Sequence, residues 1–260
     1  MSIVELERHG AVAVVTLNRP EVRNAFDGPM ARALGAAIDE VEADPGLRAA
    51  VLTATITEPR PVFCAGHDLR TIEDEFAGGD QAMTERGGFA GFVTYRRTKP
   101  VVAAVDGLAT SGGLEIVLAC DLVVASRRSS FALAEVRWNL VAGAGGLFRL
   151  PWAVGRAAAM DMLLTGDAID AERAHQLGLV SALVDTDPTA AALARAERIA
   201  GNGPLAVSAS MRVCDRAFSD SEAELWAAND AALESIAGSE DLEAGLAAFA
   251  GRSTPTFLGR

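Results

Sequence analysis

Histidine, cysteine and aromatic residues are all scarce in this chain of 260 residues. The three histidines, His9, His67 and His175, are too few and too scattered for a histidine-rich metal site. The three cysteines, Cys64, Cys120 and Cys214, form neither a zinc pattern nor a Cys-X-X-Cys redox pair. Their odd, sparse count fits a reducing compartment, so the expected location is the cytoplasm. Aromatic side chains make up 5% of the chain, and the core must be built mainly from Ala, Val and Leu. Cations are outnumbered: 23 Lys and Arg stand against 35 Asp and Glu, a net charge of −12. That balance opposes nucleic acid and anionic membrane surfaces, which need a cationic footprint. It leaves room for one small basic contact to a phosphorylated small molecule. Long apolar runs are missing too. The longest stretch without Asp, Glu, Lys or Arg, Ile199 to Met211, has 13 residues, against roughly 18 for a membrane span. Met1 to Gly10 carries Glu5, Glu7 and Arg8 and has no apolar signal core.

Glycine is plentiful, at 25 residues, and half of the chain is hydrophobic. At about 150 residues per domain, the length suggests one large domain or two small ones. A chain of this size buries about three quarters of its unfolded surface and needs no disulfide or metal staple. Ile3 to Arg8 and Ala11 to Leu17 read as a hairpin around His9-Gly10. Asp27, with Pro29 behind it, reads as the cap of a helix running to about Val41. Ala49 to Ala54, Pro100 to Val105, Asp121 to Ala125 and Ser130 to Leu133 read as strands, and Phe89 to Arg97 as a short helix. The polar segment Thr71 to Gly88 reads as a lid or binding loop. After Gly155 the chain becomes a series of Ala-rich helical segments. Strand-turn-helix units thus fill the first part of an α/β protein, and helices fill the last.

Two glycine turns follow apolar strands: Cys64-Ala65-Gly66-His67-Asp68 and Gly107 to Gly113. Each can aim free backbone N–H groups at one point, and two convergent N–H groups make an oxyanion hole. Turn chemistry alone is the plainer reading of either one taken singly. Glu115 lies just inside an apolar helix and Glu135 at the end of an apolar strand. Each is a candidate acid or base, though taken alone the plainer reading is a helix-start acid for Glu115 and a strand-end or capping acid for Glu135. Gly143-Ala144-Gly145-Gly146 begins like a dinucleotide fingerprint, but Phe148 stands where the last glycine belongs. Neither a nucleophile elbow nor a Walker sequence is present.

Taken together, these pieces resemble the crotonase (enoyl-CoA hydratase/isomerase) superfamily. The resemblance is carried by Leu17-Asn18-Arg19-Pro20 with Asn24-Ala25, and by Phe63-Cys64-Ala65-Gly66-His67-Asp68-Leu69. It continues through Lys99 to Val105, Ser111-Gly112-Gly113-Leu114-Glu115, Cys120-Asp121-Leu122 and Phe131 to Glu135. It ends with Gly143 to Gly146, Arg149-Leu150, Leu164-Thr165-Gly166-Asp167, Ala174 and Gly178-Leu179-Val180. The order and spacing hold over essentially the whole chain.

The resemblance implies a spiral of ββα units, with a catalytic core over 1–200 and a helical subdomain over 201–260 that drives trimers or dimers of trimers. It implies a hydro-lyase of fatty acid metabolism acting on an acyl-CoA thioester. No separate cofactor is expected, because coenzyme A is part of the substrate. The amides of His67 and Gly112 would form the oxyanion hole. Glu115 would be the base toward water, Glu135 the acid toward Cα, and Gly143 would help hold the water. Coenzyme A would meet Arg23, Ala25, Ala65, His67, Asp68, Leu69, Arg70 and Gly112. Phe249 and Phe257 are candidate contacts near the CoA end. Both glutamates are present, which favours hydration over isomerisation. An enoyl-CoA isomerase, a carnitinyl-type dehydratase, a thioester hydrolase and a non-catalytic acyl-CoA-binding protein remain alternatives. Several positions depart from the family pattern: His67 where a small residue is common, Ser111 in place of glycine, and Asn139 and Ala142 in place of Gly and Pro. Arg137 and Trp138 are bulky and expected to narrow the acyl pocket.

Overall fold

The computed structural model describes residues 2–71, 75 and 77–260. Part of the expected lid, residues 72–74 and 76, lies outside the described residues. The chain opens as a hairpin of β1 (Val4–His9) and β2 (Val12–Leu17), turning at Gly10 with φ +61°. A 3-10 turn, Pro20–Val22, leads to helix α1 (Gly28–Ala43). The Asp27 carboxylate accepts from the Met30 amide at 3.0 Å, and Pro29 occupies the first turn, where its missing N–H costs nothing. Strands β3 (Ala49–Ala54), β4 (Val62–Cys64), β5 (Met83–Thr84), β6 (Gly88–Phe89), β7 (Val101–Val105) and β8 (Leu108–Thr110) follow. Next come helix α2 (Gly112–Leu118) and strands β9 (Leu122–Ser126) and β10 (Ser130–Ala132). The rest is mainly helical: α3 (Gly146–Val154), α4 (Arg156–Thr165), α5 (Ala171–Leu177), α6 (Pro188–Ala200), α7 (Pro204–Cys214), α8 (Glu222–Ile236) and α9 (Glu240–Gly251). Two short strands, β11 (Ile169–Asp170) and β12 (Ala182–Val184), interrupt it.

Two main sheets result. The larger has the order β1-β2-β3-β7-β9-β12 and is parallel except for the β1–β2 hairpin. Strand β7 is buried along its whole length, and its unbroken Val and Ala run is what a parallel strand covered on both faces requires. On one face, α6 lays Ala192, Ala196 and Ala200 against Val12, Val14, Val51, Val102 and Val124. The i, i+4 spacing of these small residues keeps one flat stripe on the sheet. The opposite face meets α1 and the smaller sheet through Leu34, Ile38, Phe26, Phe63, Leu114 and Phe131. The smaller sheet has the order β11-β10-β8-β4, with β4, β8 and β10 parallel. Strands β4, β8 and β10 end together, so the turns after β4 and β8 and the segment after β10 emerge on one side. The α/β spiral with its helical C-terminal part agrees with the expected fold.

Three local expectations are corrected. Phe89 to Arg97 is not a helix: Phe89 closes β6 and turns follow over 90–94, because Gly88, Ala90 and Gly91 have φ of +62°, +60° and +68°. Residues 107–113 are not one tight turn, since β8 lies within them and pairs with both β4 and β10. Glu135 does not end a strand: β10 stops at Ala132, and Glu135 opens a 3-10 turn, Glu135–Trp138.

Candidate active site

The glycines at the ends of β4 and β8 hold two turns in direct contact. A methyl group on Gly66 (φ +89°) would lie 2.6 Å from the Gly112 nitrogen. One on Gly112 would lie 3.3 Å from the Gly66 Cα and 2.6 Å from the Phe89 ring. One on Gly113 would lie 2.2 Å from the Cys64 carbonyl oxygen. Only glycine permits this approach. Asn24 fixes the first turn from outside: fully buried, it donates to the Thr55 and Phe63 carbonyls at 3.0 Å each. Its carbonyl oxygen accepts from the Arg19 amide, which gives the Asn-Arg-Pro signature a structural meaning. A parallel bridge joins Phe26 to His67, with Phe26 N–H donating to Gly66 and Asp68 N–H donating to Phe26. That pattern leaves the His67 N–H free, and the Gly112 N–H opens α2, where no intrahelical acceptor exists. Neither donates to any of the described residues. Ser111, before Gly112, holds φ +54° and ψ −129°, a region that glycine enters freely and serine only under strain.

Both turns open into a cleft of about 670 Å³. Its lining includes Ala65, His67, Leu69, Gly112, Glu115, Glu135 and Gly143 from the expected site. Glu115 comes from α2 and is 3% exposed; its Oε1 accepts the Gly146 amide at 2.8 Å. Burial, joined by the nearby charge of Glu135, pushes its carboxyl up to about 7, against the pull of the Gly146 and Ala144 amides. Glu135 is also buried, and its carboxyl is likewise raised, chiefly by burial. Its Oε2 has no hydrogen-bond partner among the described residues. Burial thus pushes both carboxyls toward the protonated form, opposed at Glu115 by the Gly146 and Ala144 amides and at Glu135 by its own amide and the Ser111 hydroxyl.

The remaining expected contacts lie elsewhere. Arg23, Ala25, Asp68 and Arg70 do not line the cleft. Asp68 is buried in an ion pair with Arg70 at 2.6 Å and lies 3.8 Å from Arg19, so its carboxylate is engaged within the protein. These cations hold it below the usual carboxylate range, the Arg70 hydrogen bond most of all. Arg23 and Arg70 are exposed beside the first turn, and the Arg23 carbonyl accepts the Ala65 amide at 3.0 Å. Trp138 lines the cleft and is 70% exposed. Arg137 instead reaches out to Asp167 at 2.6 Å and narrows nothing. Phe249 is 87% exposed, while Phe257 packs beside Gly203 and Gly245. Two lining residues escape a reading of the sequence. Glu75 hydrogen-bonds the His67 ring at 2.8 Å, from a polar segment with no motif around it. Phe89 faces Gly112 and His67 from the end of β6, at the start of the segment read as a helix.

The model of the enoyl-CoA hydratase/isomerase family matches residues 7–260. The chain belongs to that family. It is 41% identical to an enoyl-CoA hydratase from Mycobacterium tuberculosis H37Rv, whose crystal structure superposes with a TM-score of 0.91 over 99% of both chains. It is 39% identical to a carnitinyl-CoA hydratase from Mycobacterium avium, TM-score 0.76, over 99% of both. It is also 39% identical to the (E)-benzylidenesuccinyl-CoA hydratase of Thauera aromatica, covering 98% of this chain and 99% of the relative. Enoyl-CoA hydratases are hydro-lyases, so membership agrees with the expected enzyme class. Among the described residues no helix is long and apolar enough to cross a membrane.

Proposed function

We propose that the protein is an enoyl-CoA hydratase that adds water reversibly, and syn, across the double bond of a trans-2-enoyl-CoA. The observation that carries this reading is the pair of buried carboxyls, Glu115 and Glu135, in one cleft with two unengaged backbone amides. The His67 and Gly112 amides receive the thioester oxygen as it gains enolate charge. Glu115 takes a proton from water as the oxygen attacks Cβ. Glu135 delivers a proton to Cα. The Gly143 amide, which lines the cleft and donates to none of the described residues, steadies the water. Dehydration runs the same steps backward. The acyl group enters the cleft, and the exposed Arg23 and Arg70 beside the first turn are the contacts assigned to the CoA phosphates. A non-catalytic acyl-CoA-binding role needs neither carboxyl, and it gives no reason to bury both at the cost of raised pKa values.

The test is a spectrophotometric and mass-resolved screen of enoyl-CoA thioesters from C4 upward, with branched and carnitinyl forms included. A gain of one water per thioester supports hydration. An unchanged mass indicates isomerisation, and free CoA indicates hydrolysis. Glu115→Gln and Glu135→Gln should each lower kcat by about 10²–10⁴-fold while acyl-CoA still binds. Near-wild-type hydration by either variant overturns the two-carboxyl mechanism.

A further inference from the structure

The His67 side chain takes no part in the mechanism above, which uses only its amide. Yet the ring lines the cleft, partly exposed, with the Phe89 ring 5.9 Å away. Its Nε2 lies 2.8 Å from Glu75 Oε1, and the Thr71 hydroxyl donates to the same oxygen at 2.6 Å. The second oxygen, Oε2, accepts the Ala82 amide at 3.4 Å. Burial raises the Glu75 carboxyl, but the hydrogen bonds from Thr71 and His67 outweigh it and hold the group below the usual range. Glu75 is thus a carboxylate, an acceptor only, and it takes the ring's Nε2–H. In the tautomer that this bond selects, Nδ1 carries the lone pair, and it has no hydrogen bond to any described residue.

We propose that His67 and Glu75 form a specificity device that selects acyl groups bearing a hydroxyl, which donates to His67 Nδ1. Glu75 is the positioning residue, fixing the tautomer and the ring. This rests on the acyl-CoA reading of the cleft and deepens it. An unsubstituted acyl chain would cover Nδ1 without replacing its water, and an acceptor stranded in this way is penalised. A hydroxyl donor restores the bond and brings no charge. A carboxylated acyl group fits less well: it meets a lone pair, beside the Glu75 carboxylate.

The test uses matched CoA thioesters of one chain length: unsubstituted, hydroxylated at each position beyond Cβ, and terminally carboxylated. Affinities of the saturated forms are measured by calorimetry, and kcat/KM is measured for the 2-enoyl forms. The wild type should bind one hydroxylated thioester at least tenfold more tightly than its unsubstituted match. His67→Leu, which keeps the backbone amide, should erase that ratio. Glu75→Gln should reduce it, raising KM for the hydroxylated thioester more than it lowers kcat. If His67→Leu does not fold, His67→Phe supplies the same comparison. No hydroxyl preference in the wild type, preference for the carboxylated form, or a preference that survives loss of the ring overturns the proposal. Binding preference without hydration would sink the hydratase reading and leave this inference standing. Hydration without the preference would do the reverse.

Discussion

A buried carboxyl that must ionise to work carries a stability penalty, and Glu115 makes the size of that penalty accessible. Its carboxyl lies at about 7 against an ordinary value of 4.5, with burial the main cause. Between those values the folded chain binds more protons than the unfolded one, so stability contributed below pH 4.5 is lost as pH rises through 7. The full penalty is on the order of 3 kcal/mol. Glu115→Gln removes the ionisation and keeps an acceptor for the Gly146 amide, but leaves an NH2 group to satisfy, costing about 1 kcal/mol. The variant should therefore be more stable than the wild type by about 2 kcal/mol above pH 7. The advantage should fade as pH falls toward 5. Denaturant titrations at pH 5 and pH 8 measure it; an equal effect at both, or destabilisation at pH 8, contradicts the assignment. The same titration should appear in turnover, which falls as pH drops through about 7 and the base takes up its proton.

At the scale of elements, the site depends on how closely two turns approach. Gly66→Ala adds a methyl 2.6 Å from the Gly112 nitrogen at a backbone angle that L-residues resist. The turns must separate, and the two amides no longer converge. Turnover should fall by about 10²–10³-fold, the usual loss for one oxyanion donor, and stability by about 1–3 kcal/mol. Gly78→Ala is the control: its φ is also positive, at +91°, but none of the described residues lies within 4 Å, so activity should hold. Kinetics and denaturation on both variants separate backbone strain from lost convergence; equal activity losses would contradict the geometry. The glycines that make this contact were legible in the sequence because each follows an apolar strand, and the first hairpin and α1 were legible from alternation and from Asp27. Strands β8, β11 and β12 were not, since two or three residues show no period. Helix α3 was hidden by Pro151 within it and by the lack of a side-chain cap at Gly145. Glu75 carries no signature at all, because what makes it matter is the fold bringing it to His67.

At the scale of the whole molecule, the C-terminal helices leave apolar side chains in solvent. Helix α8 spans 15 residues with none buried, and its Trp226 and Leu233 are 62% and 60% exposed. Their i, i+7 spacing places them on one face. A helix of this length gains little from propensity alone and is normally held by packing of one face. Trp152 and Phe218 stack with ring centroids 5.7 Å apart and remain 42% and 68% exposed. Association of copies through such faces would suit the trimer or hexamer that the family resemblance implies. The net charge of −12 on every copy opposes that association, and screening relieves it. Sedimentation should therefore find three or six copies, with self-association tighter at about 150 mM salt than at about 10 mM, where the Debye length is three- to fourfold longer. Trp226→Glu combined with Leu233→Glu should shift the population toward the monomer. A wild type that stays monomeric at every concentration and salt would mean that these faces serve something other than assembly. Association that weakens as salt rises would mean that ion pairs, rather than the apolar face, hold the copies together.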